Sequence, residues 1–132
     1  MEILFDTASH RVSERLFKKM DKDERIVRES LVKTWTKILE RYARPGMHLP
    51  SIEVLRRELI DVGVDAAVDA VVSAHWWVFS GMVRDEIHRK VDRELANSTL
   101  AEFLEEVRIA QQDPGMLVYL REKIRNYVMG EW

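Results

Sequence analysis

Four histidines, His10, His48, His75 and His88, are the side chains best suited to move a proton or hold a metal ion near neutral pH. Two have a carboxylate one helical turn away: His10 with Glu14, and His88 with Asp92. Such spacing puts both groups on one helix face, but neither pair lies in an HExxH sequence, and pairs like these are common by chance. His75 and His88 fall about 220° apart around a helix, so one straight helix cannot join them. His75 sits in the most apolar stretch of the chain and reads as a hydrogen-bonded core residue.

Arg84 and His88 are separated by three residues, one too few for the Arg-x4–6-His spacing of certain helical ribonucleases, and read as an exposed helical turn. Glu102, Glu105 and Glu106 lack the Glu-x-x-His partner of carboxylate-bridged metal sites and read as a solvated face. The chain has no cysteine, which removes disulfides, thiol nucleophiles and cysteine-based zinc sites. It contains no GxxxxGK[ST] loop, no GxGxxG turn and no GxSxG elbow. The expectation is therefore a protein that is not an enzyme and has no catalytic residue, cofactor or metal. Trp76 and Trp77 are adjacent and point about 100° apart on a helix. Burying both needs packing on two sides, or a partner that covers one of them.

A chain of 132 residues with 46% hydrophobic and 33% charged residues suits one folded domain. Its net charge of −2 favours neither nucleic acid nor acidic membranes. Only residues 1–44 lean basic, with 11 basic and 8 acidic groups interleaved as on a solvated helix surface. The opening Met1-Glu2-Ile3-Leu4-Phe5-Asp6 has no basic start and no long apolar core. No secretion signal is expected, and the chain reads as cytoplasmic. Ala66–Val83 is interrupted by Asp69 and His75, which argues for a buried helix over a membrane span.

The elements that must carry these residues are helical, because apolar residues recur at helical spacing and no stretch alternates long enough for a sheet. A first helix is expected over Thr7–Met20 and a second over Lys22–Ala43. Val27, Leu31, Trp35, Ile38 and Tyr42 form the second helix's apolar stripe, and Arg44-Pro45-Gly46 ends it. Ser51 caps a third helix that Gly63 closes. A fourth helical stretch runs from Asp65 to Ala96, about 46 Å if straight, so it either breaks at Ser80-Gly81 or projects beyond the globule. Asn97-Ser98-Thr99 makes a turn, and Thr99 with Glu102 matches a capping box. A fifth helix reaches Gln112. Asp113-Pro114 starts a sixth, which Gly130 ends.

The fold expected is all-α, an orthogonal bundle of about six helices with a projecting αα-hairpin. Residues 1–81 form the head, 82–112 the hairpin and 113–132 the C-terminal helix, within one domain. In the hairpin, Val83, Ile87, Val91 and Leu95 face Leu100, Phe103, Leu104 and Val107. Two such arms cannot bury both sides alone, so these residues, with Trp77, are the expected interface for a second molecule.

Two family resemblances bear on function. Leu31-Val32-Lys33-Thr34-Trp35, Ile38-Leu39-Glu40-Arg41-Tyr42, Leu49-Pro50-Ser51, Leu55, Glu58-Leu59 and the run Met82-Val83-Arg84-Asp85-Glu86-Ile87-His88-Arg89-Lys90 resemble the N-terminal collar domain of DnaB-type hexameric replicative helicases, especially phage versions. The resemblance spans about 80 residues as a pattern of apolar positions. It implies a non-catalytic module for protein–protein interaction and oligomerisation in DNA replication, binding helicase, primase or loader. A protein partner and a homo-oligomer, dimer or higher, are then expected, with no direct nucleic-acid binding and no membrane. The ATPase domain of that family is missing, so unwinding is not implied. Pro45-Gly46-Met47-His48-Leu49-Pro50-Ser51, with Leu55 and Leu59, is similar to the GntR-type winged-helix signature, which implies a DNA-binding regulator. The following segment, Asp65–Val72, carries two carboxylates and no basic or amide side chain to meet phosphates or bases, and no strand pair follows as a wing. A phage-encoded inhibitor of a host enzyme would share the composition.

Overall fold

The computed structural model describes residues 23–75 and 80–131. The expected helix Thr7–Met20, with His10 and Glu14, lies outside the described residues, as do Trp76 and Trp77. Among the described residues the protein is all-helical, with five α-helices and no strand.

The first, α1, occupies residues 23–42. Leu31, Trp35, Ile38 and Leu39 are buried along one face, as their spacing demands. Pro45 and Gly46 stop it. Gly46 has φ +82°, and Met47 N–H bonds the Arg44 carbonyl at 3.1 Å, the proline-then-glycine order of a type II turn.

Helix α2 spans Ile52–Ala74, opened by Ser51, whose hydroxyl accepts the Val54 N–H at 3.2 Å. It does not stop at Gly63, contrary to the sequence expectation. Gly63 is buried in mid-helix against α1, where an added Cβ would lie 2.6 Å from Trp35 Nε1 and 2.9 Å from Leu31 Cδ2. Glycine serves here as a contact point rather than a terminus, and the Trp35 indole donates to the Leu59 carbonyl at 2.9 Å beside it. The continuity of α2 also removes the turn that a helix-turn-helix would need between Leu59 and Asp65.

The expected 65–96 stretch is broken, and the break comes earlier than Ser80-Gly81. The α2 helix ends with His75 in non-helical geometry, its N–H on the Val71 carbonyl at 2.9 Å and its ring 2.6 Å from Asp23 Oδ1. Helix α3 then runs Ser80–Glu94 and α4 runs Asn97–Gln112. Residues 97–99 belong to α4 rather than to a turn. Ala96 holds the N-cap position, so the capping box does not form, and Thr99 is buried instead.

Asp113 accepts the Gly115 N–H at 3.1 Å and leads into a 3-10 turn, Pro114–Met116, with proline in its first turn. Helix α5 follows over Leu117–Asn126. The chain then continues as a wider π-turn, Tyr127–Glu131, running through Gly130 where a stop was expected.

Helices α3 and α4 do not zip together as a hairpin. The main partner of α3 is α2, while α4 packs on α5 and α2. Arg56 of α2 fixes the end of α3 by donating to the Asp92 carbonyl at 2.5 Å and to the Leu95 carbonyl, two of the carbonyls a helix C-terminus leaves unpaired. The Tyr127 hydroxyl donates to the Glu94 carbonyl at the same place. Gln111 ties α4 to the α1–α2 connection through the Tyr42 and Met47 carbonyls, each at 2.8 Å. Among the described residues, no helix is long and apolar enough to cross a membrane.

Candidate functional site: a basic-walled groove

Charge pairing treats the two flanks of α1 differently. Toward α5, Glu29 meets Arg125 at 3.3 Å and Glu40 meets Arg121. Near the start of α1, Glu24 accepts from Arg28 at 3.0 Å and from Lys90. Burial pushes the Glu24 carboxyl up, but the hydrogen bonds and charges of Lys90 and Arg28 outweigh it and leave the group below its usual range.

Elsewhere on its exposed face α1 carries Lys33, Lys37 and Arg41, three exposed cations at steps of four, and exposed Arg44 lies just beyond the helix end. Arg41 is bound to Glu58 of α2 at 2.6 Å, and Tyr42 donates to the same carboxylate at 2.6 Å. That hydrogen bond and the Glu58 charge raise the Tyr42 pKa, with burial adding to them. Lys33 and Lys37 have no ion pair or hydrogen bond among the described residues. Beside them α1 and α2 leave an open groove of about 470 Å³. Its α1 wall is Ser30, Lys33, Thr34, Lys37, Ile38 and Arg41, and its α2 wall is Val62 and Ala66. Thr34 turns its hydroxyl back to the Ser30 carbonyl at 2.7 Å. Val62 is 43% exposed, although it directly precedes buried Gly63.

The residues expected to form an interface lie elsewhere. Ile87, Val91, Leu95, Leu100, Phe103 and Val107 are buried in the chain's own core, and Val83 and Leu104 pack against it half-buried. Trp77 lies outside the described residues. Within the chain, α2 packs on α3, and α5 with α2 packs on α4. Phe103 meets Tyr127 edge-on at 5.9 Å within that core.

The groups weighed for chemistry are scattered. Arg84 is bound to Asp65, and Asp92 to Arg56 at 3.2 Å, leaving His88 exposed beside occupied partners. His48 is exposed in the α1–α2 connection, and His75 is a hydrogen-bonded residue, half-buried rather than fully enclosed. Glu105 holds Arg108 at 2.5 Å, while Glu102 and Glu106 flank Lys123 at 3.8 and 4.0 Å. Among the described residues no three metal-ligating side chains converge. The groove escaped sequence reading because Lys33 and Lys37 have the spacing of any solvated helix face. The packing of α1 on α2, with Gly63 against Trp35 and Leu31 and Glu58 held by Arg41 and Tyr42, sets Val62 and Ala66 beside them. Compared with known protein families, curated proteins and solved structures, the chain matches none.

Proposed function

We propose that this protein is a non-catalytic interaction module that docks a segment of a partner protein in the groove between α1 and α2. The carrying observation is the pairing of two uncompensated lysines, Lys33 and Lys37, with a solvent-facing apolar wall at Val62 and Ala66. Desolvated apolar contact supplies affinity at such a site, and the charges supply orientation and selectivity. Of the residues that resemble the helicase collar, Leu31 to Tyr42 belong to α1 and Leu49 to Leu59 lead into the start of α2, the two helices that wall this groove. A replicative helicase, its primase or its loader is the partner class that resemblance implies. Self-association through the α3–α4 seam is not included, because that apolar surface is already used inside the chain.

The test is calorimetric titration of the full chain with the purified replicative helicase, primase and loader of its source. One of them is expected to bind in roughly the micromolar range. Val62→Asp, at an exposed position, is expected to weaken that binding about tenfold or more while leaving the thermal transition nearly unchanged. Failure of all three proteins to bind would remove the replication reading. Binding that Val62→Asp leaves intact would move the site away from the groove.

A further inference from the structure

The two walls of the groove differ in electrical character, and this difference specifies an occupant. The α1 wall carries Lys33 and Lys37, whose side chains have no partner among the described residues, with Arg41 already neutralised by Glu58. The α2 wall is apolar at Val62 and Ala66, and the same helix exposes Asp61 and Asp69. A nucleic-acid backbone needs positive charge along its whole track and gains nothing from an apolar wall. A protein segment with one acidic and one apolar face matches both walls at once. We infer that the groove takes an acidic amphipathic helix from the partner, its carboxylates on Lys33 and Lys37 and its apolar stripe on Val62 and Ala66. This rests on the docking function proposed above and adds the chemistry of the docked segment.

The geometry sets the pattern. Lys33 and Lys37 are one turn apart, about 6 Å along α1, so carboxylates spaced i,i+4 on the incoming helix reach both. The α1 wall extends from Ser30 to Arg41, about 17 Å at helical rise, so roughly three turns of partner helix fill it. Apolar residues of the partner at i and i+4 match Val62 and Ala66, which share that interval. Glu29 and Glu40, the acids one helical turn from Lys33 and Lys37 on α1, are engaged by Arg125 and Arg121 of α5, which leaves the lysines for an incoming segment.

The test uses fluorescein-labelled helical peptides of about 14 residues. One carries glutamate and leucine stripes, a second has glutamine for glutamate, and a third has lysine. Fluorescence anisotropy is read against the full chain, against the doubly substituted Lys33→Glu, Lys37→Glu chain and against Val62→Asp, each checked for an unchanged melting curve. The acidic peptide is expected to bind the natural chain roughly tenfold more tightly than the glutamine peptide, more weakly as salt rises. The double charge reversal is expected to invert the order, so that the lysine peptide binds best. Acidic and glutamine peptides binding equally, with Val62→Asp weakening both, would overturn the acidic specificity while leaving the groove as a docking site. No peptide binding in a Val62-dependent way would overturn the docking site itself. A short duplex DNA that binds more tightly than the acidic peptide, and loses affinity with the double charge reversal, would replace the protein occupant with nucleic acid.

Discussion

Gly63 and Trp35 decide how near α1 and α2 approach. Alanine at position 63 would gain about 1 kcal/mol of helix propensity. Its methyl carbon, however, would intrude at 2.6 Å on the indole nitrogen and 2.9 Å on Leu31, inside a packed core. Overpacking of that kind costs about 1–3 kcal/mol, and it also displaces the Trp35 hydrogen bond to Leu59. Gly63→Ala is therefore expected to be destabilising on balance in chemical denaturation. The cost is expected to shrink in a Trp35→Phe background, where the nearest atom of the clash is gone. Equal costs in both backgrounds would separate Gly63 from the indole. Glu24 gives a pH-dependent test. Its folded pKa is depressed, so its stabilisation is complete above the ordinary carboxyl value of 4.5 and is lost as pH falls through the folded value. Glu24→Gln is expected to be less stable than the natural chain at neutral pH, with the two denaturation midpoints converging as the pH is lowered through the depressed Glu24 value.

At the scale of elements, capping and core periodicity make separable predictions. Asp113→Ala removes the acceptor for Gly115 N–H where α4 passes into the 3-10 turn, and is expected to cost about 1 kcal/mol in thermal unfolding. Val91→Asp buries an unpaired carboxylate at a position with 0% exposure. It is expected to cost about 3 kcal/mol or more and to abolish the cooperative melting transition rather than leave helicity intact. The extents of α1, the Ser51 cap, the Pro45-Gly46 turn and the Asp113-Pro114 start were legible because each depends on a residue's own backbone chemistry. The continuation of α2 through Gly63 was not, because a glycine at a helix end and a glycine under an indole are the same letter until Trp35 is placed. The misplaced turn at 97–99 has a similar origin. Thr99 and Glu102 have capping-box spacing, yet burial of Thr99 beside Leu100 shifts the helix start to Asn97. The seam from Ile87 to Val107 was correctly legible as apolar, but periodicity does not say whose surface covers it.

At the scale of the whole molecule, the chain has a net charge of −2, and much of the charge on its described surface is paired between helices. Ion pairs between α1 and α5 engage Glu29 and Glu40, and the pair between Arg56 and Asp92 links α2 to α3. These exposed pairs contribute little stability individually, and their larger effect is to leave Lys33 and Lys37 as available charge beside Val62. The proposed binding falls on this α1–α2 face. Backbone amide mapping by NMR tests it most directly, with the isotope-labelled full chain titrated with the glutamate–leucine helical peptide. Progressive shifts are expected to concentrate on residues 30–41 and 62–66, with α4 and α5 left unperturbed. Shifts centred on α4 or α5, or none at peptide excess, would contradict it.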